Sequence, residues 1–150
     1  MAEEMTREQA RKFFEDRFQG GFNQLVGLEF VDGGKGFAKL RLPLRPELLQ
    51  PTGILHGGAV ATLADVAGGV AAHLTHPLGS RCVTVELKIN FLRGISEGAV
   101  IAESSALHVG RRTSVWEIRV AAESSADAGA AGRLVAFATA TFMVVSAPGE

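Results

Sequence analysis

The sequence predicts an α+β fold: an antiparallel sheet of about six strands wrapped around one long central helix, with an extra helix at the N-terminus. Two observations predict it. First, residues 57 to about 74 have helical character and are apolar nearly all round, since Ala59, Val60, Ala61, Leu63, Ala64, Val66, Ala67, Val70, Ala71 and Ala72 leave no charged face. Such a helix is the buried centre of a domain or a membrane span. Second, the strand-like segments come in runs, two before this helix and four after it. Strands that alternated with helices would instead indicate a parallel α/β sheet. The 150 residues carry no internal repeat and read as one domain over 1–150, with residues 1–22 as a helical extension. A chain of this length buries roughly 70% of its unfolded surface, enough for a substantial core.

In chain order, Thr6 and Gln9 form a capping-box pattern. Ala10, Phe13, Phe14 and Phe18 follow at helical spacing, as an amphipathic helix covering a core, and Gly20-Gly21 end it. Val26, Leu28 and Phe30 alternate with Gly27 and Glu29 as a strand. Asp32-Gly33-Gly34 signals a turn, and Phe37–Leu42 returns as the second strand, closed by Pro43 and Pro46. Arg45–Gln50 is a loop or short helical turn leading to the central helix. The third strand, Arg81–Leu92, places Val83, Val85, Leu87, Ile89 and Phe91 on one face and Thr84, Glu86, Lys88 and Asn90 on the other. After a turn over Gly94–Gly98, the last three strands are Ala99–Val109, Thr113–Glu123 and Leu134–Val145. Ser124–Gly132 is a flexible connection, and the terminal SAPGE is expected to fray.

Composition narrows the function. The net charge of −1, from 15 basic and 16 acidic residues, lacks the basic excess of a nucleic-acid-binding surface. Cys82 is the sole cysteine, so no internal disulfide forms, in keeping with a reducing compartment. The N-terminus, MAEEMTREQARKFF, is polar and acidic, unlike a signal peptide. The apolar helix is too rich in Ala and Gly, and too interrupted by Asp65, for a membrane span. These features predict a soluble, cytoplasmic protein with no nucleic-acid or membrane partner.

Two features of the central helix call for a chemical explanation. Asp65 is the one charge inside it, and a carboxylate there is costly unless paired, neutralised or used. Asp65 shares a helix face with Gly58, Thr62 and Gly69, small residues that leave room for a ligand. A structural alternative pairs it with Thr62, a neighbouring helix or a backbone N–H. The helix also opens on His56-Gly57-Gly58, where free backbone N–H groups with little side chain around them attract an oxygen carrying negative charge. The Gly57 N–H suits a developing oxyanion, or the glycines simply let the helix start tightly. Gln50 and His56, just upstream, orient a carbonyl or a water, or cap the helix.

Other chemistries find less support. His56, His73, His76 and His108 do not form a metal set, and His73 and His76 suit the solvation or dipole of a helix end. HGGAVATLAD lacks the Gly spacing and Lys of a phosphate loop. No Ser sits in a nucleophile-elbow pattern, and Cys82 has no evident activating partner, which assigns it to packing.

The segments GILHGGAVATLADVAGGVA (53–71) and VTVELKINFLRG (83–94), with GRRTSVWEIRV (110–120) behind them, resemble the hotdog-fold acyl-CoA thioesterases of the PaaI type, in the thioesterase superfamily. The resemblance in layout runs from about Val26 to Val145. It implies hydrolysis of an acyl-CoA or aryl-CoA thioester to a free acid and CoA. In it Asp65 falls on the catalytic carboxylate, nucleophile or general base, and Gly57 on the backbone donor that polarises the thioester carbonyl. His56 is the histidine of the HGG motif. Gln50 stands where many relatives have Asn and the Arthrobacter-type 4-hydroxybenzoyl-CoA thioesterases have Gln. Thr84 matches a position that helps hold the attacking water. Phe91 and the loop His108, Val109, Gly110, Arg111, Arg112 and Thr113 match the region that contacts coenzyme A, with guanidinium groups suited to its phosphates. The resemblance implies no metal or cofactor beyond the CoA of the substrate, and a homodimer at minimum, with a homotetramer expected. Other classes are a hydratase or dehydratase on the same fold, with His56 and Asp65 as its pair, and a non-catalytic acyl-CoA-binding module.

Helix geometry adds a constraint of its own. Gly57 and Asp65 lie eight residues apart, about 12 Å along one helix axis at 1.5 Å per residue. Reaction needs atoms about 3–3.5 Å apart. Both residues therefore act on one thioester only if they come from two copies of the helix.

Overall fold

The computed structural model describes residues 5–146 and Gly149; residues 1–4 of the N-terminal extension and residues 147, 148 and 150 of the expected frayed tail lie outside the described residues. Helix α1 spans Arg7–Arg17 and begins with the predicted reciprocal cap. The Gln9 N–H donates to Thr6 Oγ1 at 3.2 Å, and the Thr6 N–H donates to Gln9 Oε1 at 2.7 Å. Ala10 and Phe14 are the residues of α1 that become buried.

Helix α1 stops just ahead of Gly20-Gly21, as expected, but helix resumes directly after Gly20. A second helix, α2, runs Gly21–Val26 and stops at Gly27, whose φ of 90° lies in the left-handed region. The strand expected from Val26 therefore starts later, and β1 runs Glu29–Gly34. Asn23 explains the difference. Its side-chain amide donates to the Phe18 carbonyl at 2.9 Å, and its own carbonyl accepts from the N–H groups of Gly27 and Leu28. These local bonds close a helical turn that the alternation of Val26, Leu28 and Phe30 conceals, because all three are buried in either conformation.

The turn to β2 (Phe37–Pro43) is Lys35-Gly36, not Asp32-Gly33-Gly34. Gly33 is needed for close approach within the strand: a Cβ there would lie 3.0 Å from Leu74 and 3.1 Å from Phe30. A single 3-10 turn, Pro46–Leu48, leads to helix α3, Gly57–Thr75. Four strands follow: β3 (Arg81–Phe91), β4 (Ala99–Val109), β5 (Thr113–Glu123) and β6 (Ala131–Ser146). The sheet order is β1-β2-β4-β5-β6-β3, with every neighbouring pair antiparallel. Leu63, Ala67 and Val70 of α3 are buried in one core with Leu40, Val100, Trp116, Ile118 and Phe142 of the sheet. Gly68 permits this close packing, since a Cβ there would come within 2.7 Å of the Phe142 ring. The length and composition of α3 would suit a membrane span, but its apolar surface is mostly buried within the fold.

One correction bears directly on the site. The predicted alternation of β3 is broken by a bulge between Thr84 and Glu86. The extra residue, Val85, shifts the phase by one, so side chains on either side of it exchange faces. Cys82, Leu87 and Ile89 pack on the core, whereas Val83 and Val85 are 40% and 59% exposed. Thr84 consequently lies on the helix side of the sheet. The connection 124–132 is also tied down. Glu123 accepts from the Gly129 N–H at 2.6 Å and takes a two-pronged pair from Arg41 at 2.7 and 2.8 Å. Strand β6 begins at Ala131, ahead of the expected Leu134.

Two histidines, His73 half-buried and His76 buried, anchor the end of α3. His73 Nδ1 donates to the Gly69 carbonyl at 2.7 Å and Nε2 accepts the Cys82 N–H at 3.1 Å, an assignment that requires a neutral ring. His76 Nε2 lies 3.3 Å from Ser114 Oγ, which accepts from the Trp116 indole N–H at 2.9 Å. Burial pushes both imidazoles below the ordinary 6.5. The Arg41 pair, aided by the Gly129 N–H, holds Glu123 down at about 2 against its ordinary 4.5. In each case the unfolded chain binds a proton that the native fold refuses, so stability rises with pH across the interval between the two values. The melting temperature should therefore fall as pH drops below about 6.5 through the histidines, and again between 4.5 and about 2 through Glu123. Thermal melts across that range check this; a flat first interval would contradict the histidine assignment.

Candidate active site

The N-terminus of α3 is built by its cap. His56 leaves the helix with extended backbone angles and turns its ring back, so that Nδ1 accepts the Gly58 N–H at 2.8 Å. That fixes the proton of a neutral ring on Nε2. The next N–H groups, of Ala59 and Val60, reach the His56 carbonyl. Among the described residues no acceptor engages the Gly57 N–H, which stands at the positive end of a 19-residue helix dipole. A Cβ on Gly57 would lie 3.4 Å from the Phe91 ring, so glycine keeps the approach between ring and helix open. Gln50, Gly57, Phe91 and Arg93 share a cleft of about 370 Å³ with the apolar residues around them. Gln50 Nε2 donates to Thr52 Oγ1 at 2.6 Å.

Two turns further along α3, Asp65 is half-buried and meets β3. Thr84 Oγ1 donates to Asp65 Oδ1 at 2.7 Å. Thr62 is not its partner, because that hydroxyl donates to the Gly58 carbonyl of its own helix at 2.8 Å. The β3 bulge makes the Asp65–Thr84 contact: on a regular strand with Leu87 inward, Thr84 would point to the other face. One carboxylate oxygen is thus fixed and the other is left to act.

The residues of the β4–β5 hairpin gather at this same end. The Gly110 N–H donates to the Thr113 carbonyl at 2.8 Å, and a Cβ on Gly110 would sit 3.1 Å from His108 Nε2. His108, Val109, Arg111, Arg112 and Thr113 are exposed. Thr113 is level with Met143 and Val83, whereas Phe91 is level with Ala136 and Val120. At about 3.3 Å per residue the hairpin and Phe91 stand roughly 25 Å apart along the sheet.

The structure therefore divides the sequence-predicted residues into two groups. Gln50, His56, Gly57 and Phe91 form one end; Asp65, Thr84, His108, Val109, Gly110, Arg111, Arg112 and Thr113 form the other. One chain does not bring the two together. Sequence reasoning missed Arg93, a cation beside Gly57, although it lies inside the VTVELKINFLRG segment. It also missed a second, largely apolar cleft of about 420 Å³ beyond the first turn of α3, lined by Phe22 and Leu25 of α2 with Leu48, His56, Gly58 and Thr62. The signal for that cleft was the pair of large apolar residues after Gly20-Gly21, which stay 62% and 68% exposed. Among the described residues no three His, Cys, Asp or Glu side chains gather as a metal site. Cys82 is half-buried, and burial pushes its thiol above the ordinary range, away from nucleophilic use.

Comparison with known proteins bears on the family and the fold. The sequence model of the thioesterase superfamily matches residues 52–128, from the approach to α3 into the connection after β5. The chain is 36% identical over 93 residues to the proofreading thioesterase EntH of Cronobacter turicensis, covering 62% of this chain and 68% of that protein. It is 33% identical over 104 residues to the 1,4-dihydroxy-2-naphthoyl-CoA hydrolase of Listeria monocytogenes, covering 69% and 85%. The solved structure of the E. coli PaaI protein, from the phenylacetic acid degradation operon, is similar in fold, with a TM-score of 0.80 at 20% identity over 95% of this chain and 97% of that one. With a six-stranded sheet wrapped around a central helix and these matches, the chain belongs to the thioesterase superfamily and is a hotdog-fold thioester hydrolase.

Proposed function

We propose that this protein hydrolyses an acyl-CoA or aryl-CoA thioester to a free carboxylic acid and CoA, at a site shared between two copies of the chain. The observation that carries the proposal is the pairing on one helix of an unengaged Gly57 N–H with an Asp65 carboxylate held by Thr84. The thioester carbonyl oxygen sits on the Gly57 N–H, where the helix dipole stabilises the charge that develops on it. Asp65 of the partner subunit supplies the other half. As general base it takes a proton from water while the water oxygen bonds to the carbonyl carbon. As nucleophile it forms an acyl anhydride that water then opens. In both routes the carbon–sulfur bond breaks and CoA leaves as the thiol after gaining a proton. Neither route calls for a metal or redox cofactor. Gln50 and His56 line the carbonyl end of the site.

The hairpin groups His108–Thr113, with Phe91, take the CoA portion, and Arg111 and Arg112 meet its phosphates. Arg111→Ala combined with Arg112→Ala should raise KM for acyl-CoA while leaving the pantetheine thioester, which lacks the nucleotide phosphates, almost unaffected. Steady-state kinetics on both substrates decide it, and equal effects would reject the assignment.

A hydratase or dehydratase would use His56 with Asp65. His56 Nδ1 is already committed to the Gly58 N–H, which favours hydrolysis. A non-catalytic binding module would not need a carboxylate held in place by Thr84. A panel of aryl-, short-, medium- and long-chain acyl-CoAs, followed by free-thiol release, tests the proposal. Thiol release supports it. Change in enoyl absorbance without thiol, or binding without turnover, would replace it.

A further inference from the structure

Cys82, Val83 and Thr84 form a short stretch of β3 with an irregularity of the ladder on each side, between Arg81 and Cys82 and between Thr84 and Glu86. Two side chains of α3 hold this stretch. Asp65 accepts from Thr84 Oγ1, and His73 Nε2 accepts the Cys82 N–H at 3.1 Å. The first bond serves the proposed reaction directly; the second lies outside it. We infer that His73 is a positioning residue: while neutral it clasps the start of β3 to α3 and so holds Thr84 on Asp65, and taking up a proton opens that clasp. The inference rests on the thioesterase reading proposed above, in which Asp65 acts.

The ring has little freedom. Nδ1 donates to the Gly69 carbonyl, one turn along α3 from Asp65. Phe18 meets the ring edge-on at 5.2 Å between centroids, and Phe13 of α1 lies at 6.4 Å. Nε2 is thereby left facing the Cys82 N–H. A neutral ring offers a lone pair there; an imidazolium puts a hydrogen there, and two donors confront each other. The ladder irregularities on either side let Cys82–Thr84 shift as a unit, so a loss at Cys82 is passed to Thr84 two residues on. Asp65 then loses the contact that fixes Oδ1. A misplacement of about 1 Å at a reacting group costs on the order of a hundredfold in rate.

The surrounding groups set the pH at which this happens. Burial foremost, then Arg17 at the end of α1 and His76 just after α3, oppose a charge on the ring, while the Gly69 carbonyl favours it. From β3 the facing residue is Cys82. The balance lies below the ordinary 6.5, so the clasp is shut at neutral pH and opens in mild acid.

The sole cysteine reports the clasp without any substrate. The rate at which Cys82 of the wild-type protein reacts with dithiodipyridine, divided by that of glutathione at the same pH, should rise at least about tenfold from about pH 7.5 to about pH 5, with the far-UV circular dichroism unchanged. Over the same range kcat for thiol release should fall at least about tenfold. His73→Gln places an amide oxygen near the position of Nε2 and does not titrate. It should hold Cys82 reactivity level, keep kcat at about pH 7.5 within roughly threefold of wild type, and flatten the acid limb. His73→Leu has no acceptor, and should show the open reactivity and the lowered kcat already at about pH 7.5. Wild-type reactivity that stays level across the range, an acid limb unchanged in His73→Gln, or a His73→Leu protein as active and as closed as wild type would overturn the inference. The wild-type reactivity decides it even if neither variant folds. If wild-type protein released no thiol from any acyl-CoA, the thioesterase reading would fail while Cys82 still reads the clasp.

Discussion

Asp65→Asn is expected to lower kcat at least about a hundredfold, the scale for loss of an acid–base group, with the fold intact. The amide keeps the size of the side chain, and its oxygen can still accept from Thr84 Oγ1, now at 2.7 Å from Oδ1. What disappears is the charge, and with it the nucleophile or base. Steady-state thiol release with circular dichroism on the same preparation distinguishes the outcomes. A fully active variant would remove Asp65 from the mechanism. A variant that unfolds would give the carboxylate a structural role, as the partner that keeps Thr84 and the bulged part of β3 against the helix.

Activity is expected to reappear when two inactive chains are mixed. The partners are the Asp65→Asn chain and a chain disabled at the Gly57 end, for which Gln50→Ala serves if it proves inactivating. The basis is distance: about 12 Å separates Gly57 from Asp65 along α3, several times the reach required for attack. In a mixed dimer one site carries both lesions and the other carries none, so recovery should approach one working site per heterodimer. Thiol release measured against the measured fraction of heterodimer checks it. Recovery absent despite heterodimers would mean that the two ends of α3 do not act on one thioester. The magnitude is large because each parent alone has a lesion in every site.

Much of this fold was legible because its signals are local. The apolar circumference of α3, the Thr6–Gln9 cap and the strand-rich runs after Pro77 each declare an element within a few residues, and the structure has them all. Asp65 and Gly57 stood out for the same reason, as exceptions to a local pattern. The misses arose where burial is indifferent to conformation. Val26 is buried at the end of a short helix as well as it would be in a strand, so its alternation with Leu28 and Phe30 misled. Gly33 and Gly34 look like a turn but serve close packing, which depends on Leu74 and Phe37, the first distant in the chain.

By itself the sequence determined that a buried helix carries one carboxylate and starts on bare N–H groups, because helical period and side-chain chemistry are properties of consecutive residues. It also determined that these two features cannot meet on one chain, because the rise per residue is fixed. Only the tertiary structure decided which face Thr84 takes. The apolar alternation of Val83, Val85, Leu87, Ile89 and Phe91 assigns it to the outside, and nothing in those residues marks the extra one. The bulge exists because β3 must satisfy β6 along its whole length while turning Cys82 towards His73 and Thr84 towards Asp65. Those are demands set by distant parts of the chain, and a period read from neighbours does not contain them.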